Sequence, residues 1–114
     1  MSTTALPLHK FLVYAPDQTD VGALERRLSV RASHLENATG TARKGLLQTG
    51  GPLLSPESIA SPTAEKKMVG SLMIFEADNI ETVKKIVESD IYYTSGVWDK
   101  EKLVILPWIQ ATFQ

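Results

Sequence analysis

The sequence predicts an α+β fold, an antiparallel sheet carrying two helices on one face. Two observations lead there. Strand-like and helical runs follow one another in the order strand, helix, strand, strand, helix, strand, the split βαβ arrangement. The chain has 114 residues, about the size at which one hydrophobic core is comfortable, so residues 1–114 are expected to form a single domain with its core over about 10–109. A third observation concerns assembly. The run Met68–Ala77 is apolar at both parities, which asks for cover on both faces of the sheet. With helices on only one face, a homodimer burying the other is the economical solution.

Each element has its own signal. The lead from Met1 to Pro7 is short and polar and is expected to fray. Phe11-Leu12-Val13-Tyr14 is β-branched and aromatic, and Ala15-Pro16-Asp17 closes it as a turn. From Asp20 to about Arg43 the period is helical. Leu24, Leu28, Leu35 and Ala38 share one face with Val21 beside them, Asp20 stands where an N-cap belongs, and Lys44-Gly45 reads as the stop. Leu46–Thr49 is a second strand, expected to end at Gly50-Gly51-Pro52, because proline interrupts a ladder. Residues Ser55–Lys67 hold two prolines and several serines and read as an exposed loop over a pocket.

Met68–Ala77 is the longest strand. Asp78 then reads as the cap of a helix from Asn79 to about Ser89, with Glu81 answering it in a capping box. Ile80, Val83 and Val87 form the inward seam of that helix, with Lys84 and Lys85 facing outward. After Ile91-Tyr92-Tyr93 and a turn at Ser95-Gly96, a last strand runs from Lys102 to Trp108, where Pro107 marks an edge or an exit.

Composition excludes several functions. A formal net charge of -1, with no Lys/Arg cluster beyond adjacent pairs, argues against nucleic acid or an anionic membrane as partner. No cysteine is present, which removes thiol catalysis and thiolate metal sites and fits a reducing compartment, so a cytoplasmic location is expected. Neither a secretion signal nor an apolar run of membrane-spanning length is read from the sequence.

Two local rules are broken, with opposite charge. On the helical wheel Arg31 falls within the apolar stripe, His34 falls at its border, and Arg27 lies beside His34 seven residues back. Basic groups on the buried side of a helix are costly unless an acid or anion meets them. Asp90 continues the 80-83-87 seam of the second helix, placing a carboxylate inward at a C-terminus, against the macrodipole. Such violations gather at functional sites. Each also has a plain explanation: Arg31 can lay its stem along the core with its head in water, and His34 can be a half-exposed boundary residue.

The motifs, taken in order, resemble the YCII-related proteins of the dimeric α/β-barrel group, which includes muconolactone-isomerase-like enzymes. The resemblance runs over roughly residues 10 to 109. It is carried by Phe11–Tyr14, Arg31-x-x-His34, Gly45-Leu46-Leu47, Gly50-Gly51-Pro52-Leu53, Gly70-Ser71, Ala77-Asp78, Asp90-x-Tyr92 and Leu106-Pro107-Trp108. Where that family has Asp-Pro-aromatic, this chain reads Asp90-Ile91-Tyr92. The resemblance implies a ferredoxin-like protomer, a homodimer with two sheets face to face, and a pocket whose His–Asp pair is His34 and Asp90. It further implies small, oxygenated ring-type substrates and no cofactor.

In such a pair the imidazole exchanges a proton while the carboxylate fixes its tautomer. Arg31 would neutralise an anionic substrate or a developing enolate oxygen. By their place in the motifs, Gly51 would offer a backbone N–H, and Ser71 and Tyr92 hydroxyls. No Gly-x-Ser-x-Gly elbow or phosphate-cradling loop occurs, and one His with one Asp is too few ligands for a metal. Trp98 and Trp108 read as core or interface fillers. Three readings stay open: a cofactor-free lyase or isomerase, a non-catalytic ligand-binding or interaction module, and a purely structural ion pair.

Overall fold

The protein is described by a computed structural model covering residues 6–114, so the first five residues of the polar lead lie outside the described part. Four strands, β1 (His9–Pro16), β2 (Leu47–Leu54), β3 (Met68–Ala77) and β4 (Val104–Trp108), alternate with the helices α1 (Ala23–Arg43), α2 (Ile80–Ser89) and the single turn α3 (Ile91–Thr94). The sheet order is β2-β3-β1-β4 and every pairing is antiparallel. This is the ferredoxin-like βαββαβ arrangement, and the expected α+β class holds.

Register explains which face is buried. Phe11 pairs with Phe75, Val13 with Met73 and Ala15 with Ser71, so period-two alternation sends all of them to the helix side. There they meet Val83 and Val87 of α2, both essentially inaccessible, and Val30 of α1. Burying each such valine is worth roughly 1.5–3 kcal/mol. The opposite face carries Leu12 against Ile74 and Leu106, and Tyr14 against Leu72 and Val104. Tyr14, Leu72, Val104 and Leu106 are 37–56% exposed, so in the protomer that face stays open.

Several local expectations need correction. Helix α1 starts at Ala23, and Gly22 occupies its N-cap position without any side-chain cap. Asp20 instead uses both carboxylate oxygens on Arg26, each at 2.8 Å. The stop at Lys44-Gly45 is as expected, with Gly45 at φ 80°, the left-handed value that glycine adopts freely. In α2 the cap is Asn79, whose side chain accepts from the Thr82 amide at 3.0 Å, one residue later than the Asp78 expected from the Asp-x-x-Glu spacing.

Strand β2 does not stop at the glycines. It runs on through Gly50, Gly51 and Pro52 to Leu54. Proline is tolerated because β2 is an edge, with its other side unpaired. Glycine fits closely at position 50, where a Cβ would stand 3.0 Å from the Met73 side chain and 3.1 Å from the Leu72 carbonyl oxygen. The 55–67 segment is tied by its own bonds rather than hanging free. Ser58, fully buried, accepts from the Lys67 amide at 2.8 Å, and Lys66 Nζ donates to the Ser58 carbonyl at 2.7 Å. No helix among the described residues is long and apolar enough to cross a membrane.

Candidate functional site

The largest departure from the sequence reading is the face that α1 buries. Its buried residues are Ala23, Arg27 and His34, while Leu28 and Leu35 are 52% and 44% exposed and Val21 is fully so. A wheel weighted by hydrophobicity turns the leucines inward. The folded chain turns the polar stripe inward, because partners distant in sequence satisfy it there.

Arg27 shows this most clearly. Its Nη1 donates to Asp17 Oδ1 at 2.8 Å and its Nη2 donates to Ser71 Oγ at 2.8 Å, with both charged side chains at most 4% exposed. Burial pushes the Asp17 carboxyl above its ordinary range, and Arg27 beside it pulls back. Trp98, fully buried, donates its indole N–H to the same Ser71 oxygen at 3.2 Å. Trp98 thus fills core, as expected, and also holds a polar group.

Seven residues along α1, His34 presents Nδ1 to both oxygens of Asp90, at 2.9 and 3.0 Å. An ionised carboxylate only accepts, so Nδ1 carries the hydrogen in this contact, and in the neutral form of the ring Nε2 keeps its lone pair. The imidazole lies flat on the Tyr92 ring, centroids 3.9 Å apart and planes 11° apart, and meets the edge of Trp98. The Arg27 guanidinium sits 4.5 Å from the same Tyr92 centroid. The Tyr92 ring thus contacts both basic side chains of the buried stripe of α1.

Asp90 lies where two helices meet. It ends α2 with an extended backbone (ψ 140°) and caps α3, its Oδ1 accepting from the Tyr92 amide at 2.8 Å. The short helix α3 was not expected. It is built on the Asp90-Ile91-Tyr92 motif without the proline.

Between α1 and the β2–β3 ribbon lies a cavity of about 90 Å³. Arg27, Arg31, His34, Gly51, Ser71 and Tyr92 line it, with Gly50 and Pro52 of the edge strand and Met73 beneath. Five of the six residues singled out from the sequence therefore share one cavity. The sixth, Asp90, stands behind His34 and faces a broader groove between α1 and α2. Arg31 lines the cavity and makes no ion pair among the described residues. Burial holds the Tyr92 phenol above its ordinary value, and its hydroxyl has no partner among the described residues. No cluster of three or more His, Cys, Asp or Glu able to hold a metal occurs among the described residues.

Sequence reasoning missed Asp17 and the role of Arg27. The available signal was the seven-residue spacing of Arg27 and His34, which places both on one stripe.

The YCII-related domain model matches residues 9–109. The chain belongs to the YCII-related family. Among YCII relatives, fusaric acid biosynthesis protein 2 of Gibberella fujikuroi is 32% identical over 104 residues, spanning 91% of this chain and 96% of that one. Protein YciI of Escherichia coli is 32% identical over 89 residues, spanning 78% and 87%. A solved structure, the 5-chloro-2-hydroxyhydroquinone dehydrochlorinase TftG of Burkholderia phenoliruptrix in complex with 2,5-dihydroxybenzoquinone, superposes with a TM-score of 0.73 at 29% identity. That match covers 90% of this chain and 95% of the dehydrochlorinase.

Proposed function

We propose that this YCII protein is a cytoplasmic, cofactor-free lyase or isomerase that moves a proton on a small oxygenated substrate, with His34 as acid–base and Asp90 as its orienter. The observation that carries the reading is the His34–Asp90 contact at a cavity edge, which leaves Nε2 as the nitrogen able to take a proton. Asp90 fixes the tautomer and stabilises the imidazolium that forms. Arg31 neutralises negative charge growing on a substrate oxygen, while Gly51, Ser71 and Tyr92 position it. The dihydroxybenzoquinone held by the dehydrochlorinase supports a small, oxygen-bearing ring as the ligand class.

The test compares wild type, His34→Ala and Asp90→Asn against a panel of hydroxylated and halogenated hydroquinones, with turnover followed by absorbance and binding measured separately. Turnover lost by a factor of at least about 100 in His34→Ala, with binding retained, is the expected result. Equal turnover in all three proteins would end the catalytic reading. Binding without turnover in wild type would leave a ligand-binding module.

The open sheet face supports a homodimer of the dimeric α/β-barrel kind. Tyr14, Leu72, Val104 and Leu106 form a contiguous apolar surface, and a second copy of the same surface would cover it.

A further inference from the structure

Ser71 has an unusual hydrogen-bond economy. Its oxygen accepts from Arg27 Nη2 at 2.8 Å and from Trp98 Nε1 at 3.2 Å. A guanidinium and an indole can only donate, and a hydroxyl has two lone pairs and one hydrogen. Both lone pairs are occupied, so the hydrogen is all that Ser71 has left to offer, and neither neighbour can receive it. No other acceptor meets it among the described residues. Ser71 is 3% exposed and lines the cavity, which makes the cavity the place where its hydrogen finds a partner.

Tyr92 adds a second donor. Its hydroxyl is buried without a partner among the described residues, and Tyr92 lines the same cavity. Burial keeps the phenol protonated. Arg27 stands behind both groups, bonded to Ser71 and lying over the Tyr92 ring, but Asp17 already neutralises it.

We propose that Ser71 and Tyr92 form a subsite for an acceptor oxygen of the ligand, a carbonyl or an ionised hydroxyl, in which Arg27 and Trp98 are positioning residues that leave Ser71 only its hydrogen to offer and Tyr92 adds a second O–H. The inference rests on the ligand-binding reading of the cavity and adds a selection rule to it. An oxygen that only accepts, and so can take both hydrogens, is favoured over a neutral hydroxyl, and a group that can only donate, such as an ammonium, is disfavoured because it leaves the Ser71 O–H unpaired.

The experiment titrates 2,5-dihydroxybenzoquinone, whose ionised oxygens only accept, and hydroquinone, which keeps its hydroxyls, into wild type, Ser71→Ala, Tyr92→Phe, Trp98→Phe and the Ser71→Ala/Trp98→Phe double variant. Wild type should prefer the ionised quinone. Ser71→Ala and Tyr92→Phe should each weaken its binding by about tenfold or more while affecting hydroquinone less. Trp98→Phe should weaken binding when Ser71 is present and make no further difference when it is absent. Ser71→Ala strands two buried N–H donors; if it does not fold, Tyr92→Phe, which breaks no bond within the protein, carries the test. A wild type that binds neither probe overturns the ligand-class reading and the subsite with it. A wild type that binds the quinone, with Ser71→Ala and Tyr92→Phe binding it equally well, overturns the subsite alone. A Trp98→Phe loss that persists without Ser71 shows that the indole acts through packing and removes it from the positioning role.

Discussion

Replacing Tyr92 by Phe separates a residue that serves folding from one that serves a ligand. Tyr92 is completely buried, its ring is stacked on His34 at 3.9 Å and faces Arg27 at 4.5 Å, and its edge contact to Trp98 spans 5.6 Å. All of these involve the ring, which phenylalanine keeps. Only the hydroxyl goes, and it has no partner among the described residues. A buried polar group left unpaired costs about 1–3 kcal/mol. Taking the low end, the ligand-free variant should gain about 1 kcal/mol. For a domain of this size that is an increase of roughly 4 °C in Tm. In the liganded protein the sign reverses. A hydrogen bond to an ionised oxygen is worth about 1.5–3 kcal/mol, so affinity should fall by roughly 10- to 150-fold. Urea and thermal melts with and without 2,5-dihydroxybenzoquinone read both effects on one sample. Destabilisation by more than about 1 kcal/mol would refute the reasoning, since it would mean that the hydroxyl is paired within the fold.

Other perturbations follow from the same geometry. Arg27→Met leaves Asp17 buried without its partner and should cost about 3–5 kcal/mol in urea melts, with Asp17→Asn in the same chain recovering part of the loss. Recovery of nothing would show that the two do not act as a pair. Hydrogen bonding to Arg26 lowers the Asp20 carboxyl from 3.8 to about 2. A lowered value means that the contribution is present above the ordinary carboxylate range and is lost as pH falls toward 2. Asp20→Asn should therefore flatten the acid limb of the melting curve between about pH 4 and pH 2, less visibly in high salt; an unchanged limb would remove the pair from the acid response. Leu106→Lys puts a charge in the middle of the open sheet face and should convert a dimer to monomers in sedimentation velocity, while a wild type that sediments as a monomer at any concentration would dispose of the dimer.

Strands β1 and β3 and the inward seam of α2 were legible because their signals are local. A β-branched run or an 80-83-87 spacing carries its own partner face with it. Helix α1 was legible in extent but not in rotation. Its leucines outvote its basic residues on a wheel, yet Arg27 is buried by Asp17, Ser71 and Tyr92, none of which a wheel includes. Strand β2 was cut short for a related reason. Pro52 forbids a ladder bond only where a neighbour would receive it, and whether a strand is an edge is a property of the whole sheet. The candidate site was more legible than the helix bearing it. Its motifs fixed the residue types, and the fold brought Arg31, His34, Gly51, Ser71 and Tyr92 to one cavity.

Asp90 shows how a broken rule can dissolve in the structure. At the end of α2 a carboxylate faces the negative pole of that helix. The backbone turns extended at Asp90, however, and α3 starts there, so the same carboxylate also caps a new helix. One oxygen serves the Tyr92 amide at 2.8 Å and both approach His34 within 3.0 Å. The acid therefore obeys one helix while opposing the other, and the basic group of α1 left without an acid is Arg31, which makes no ion pair among the described residues. Asp90→Asn and Asp90→Ala divide these duties. Asparagine keeps a capping oxygen and loses the charge, so it should melt within about 1 kcal/mol of wild type, whereas alanine loses the cap as well and should cost roughly 1 kcal/mol more. If Asp90 serves only as a cap, the asparagine variant keeps full activity wherever activity is found. If it holds His34 for proton transfer, the asparagine variant folds and fails, because the amide can present its NH₂ to Nδ1 and select the other tautomer, which would place the hydrogen on Nε2, the nitrogen that has to accept a proton.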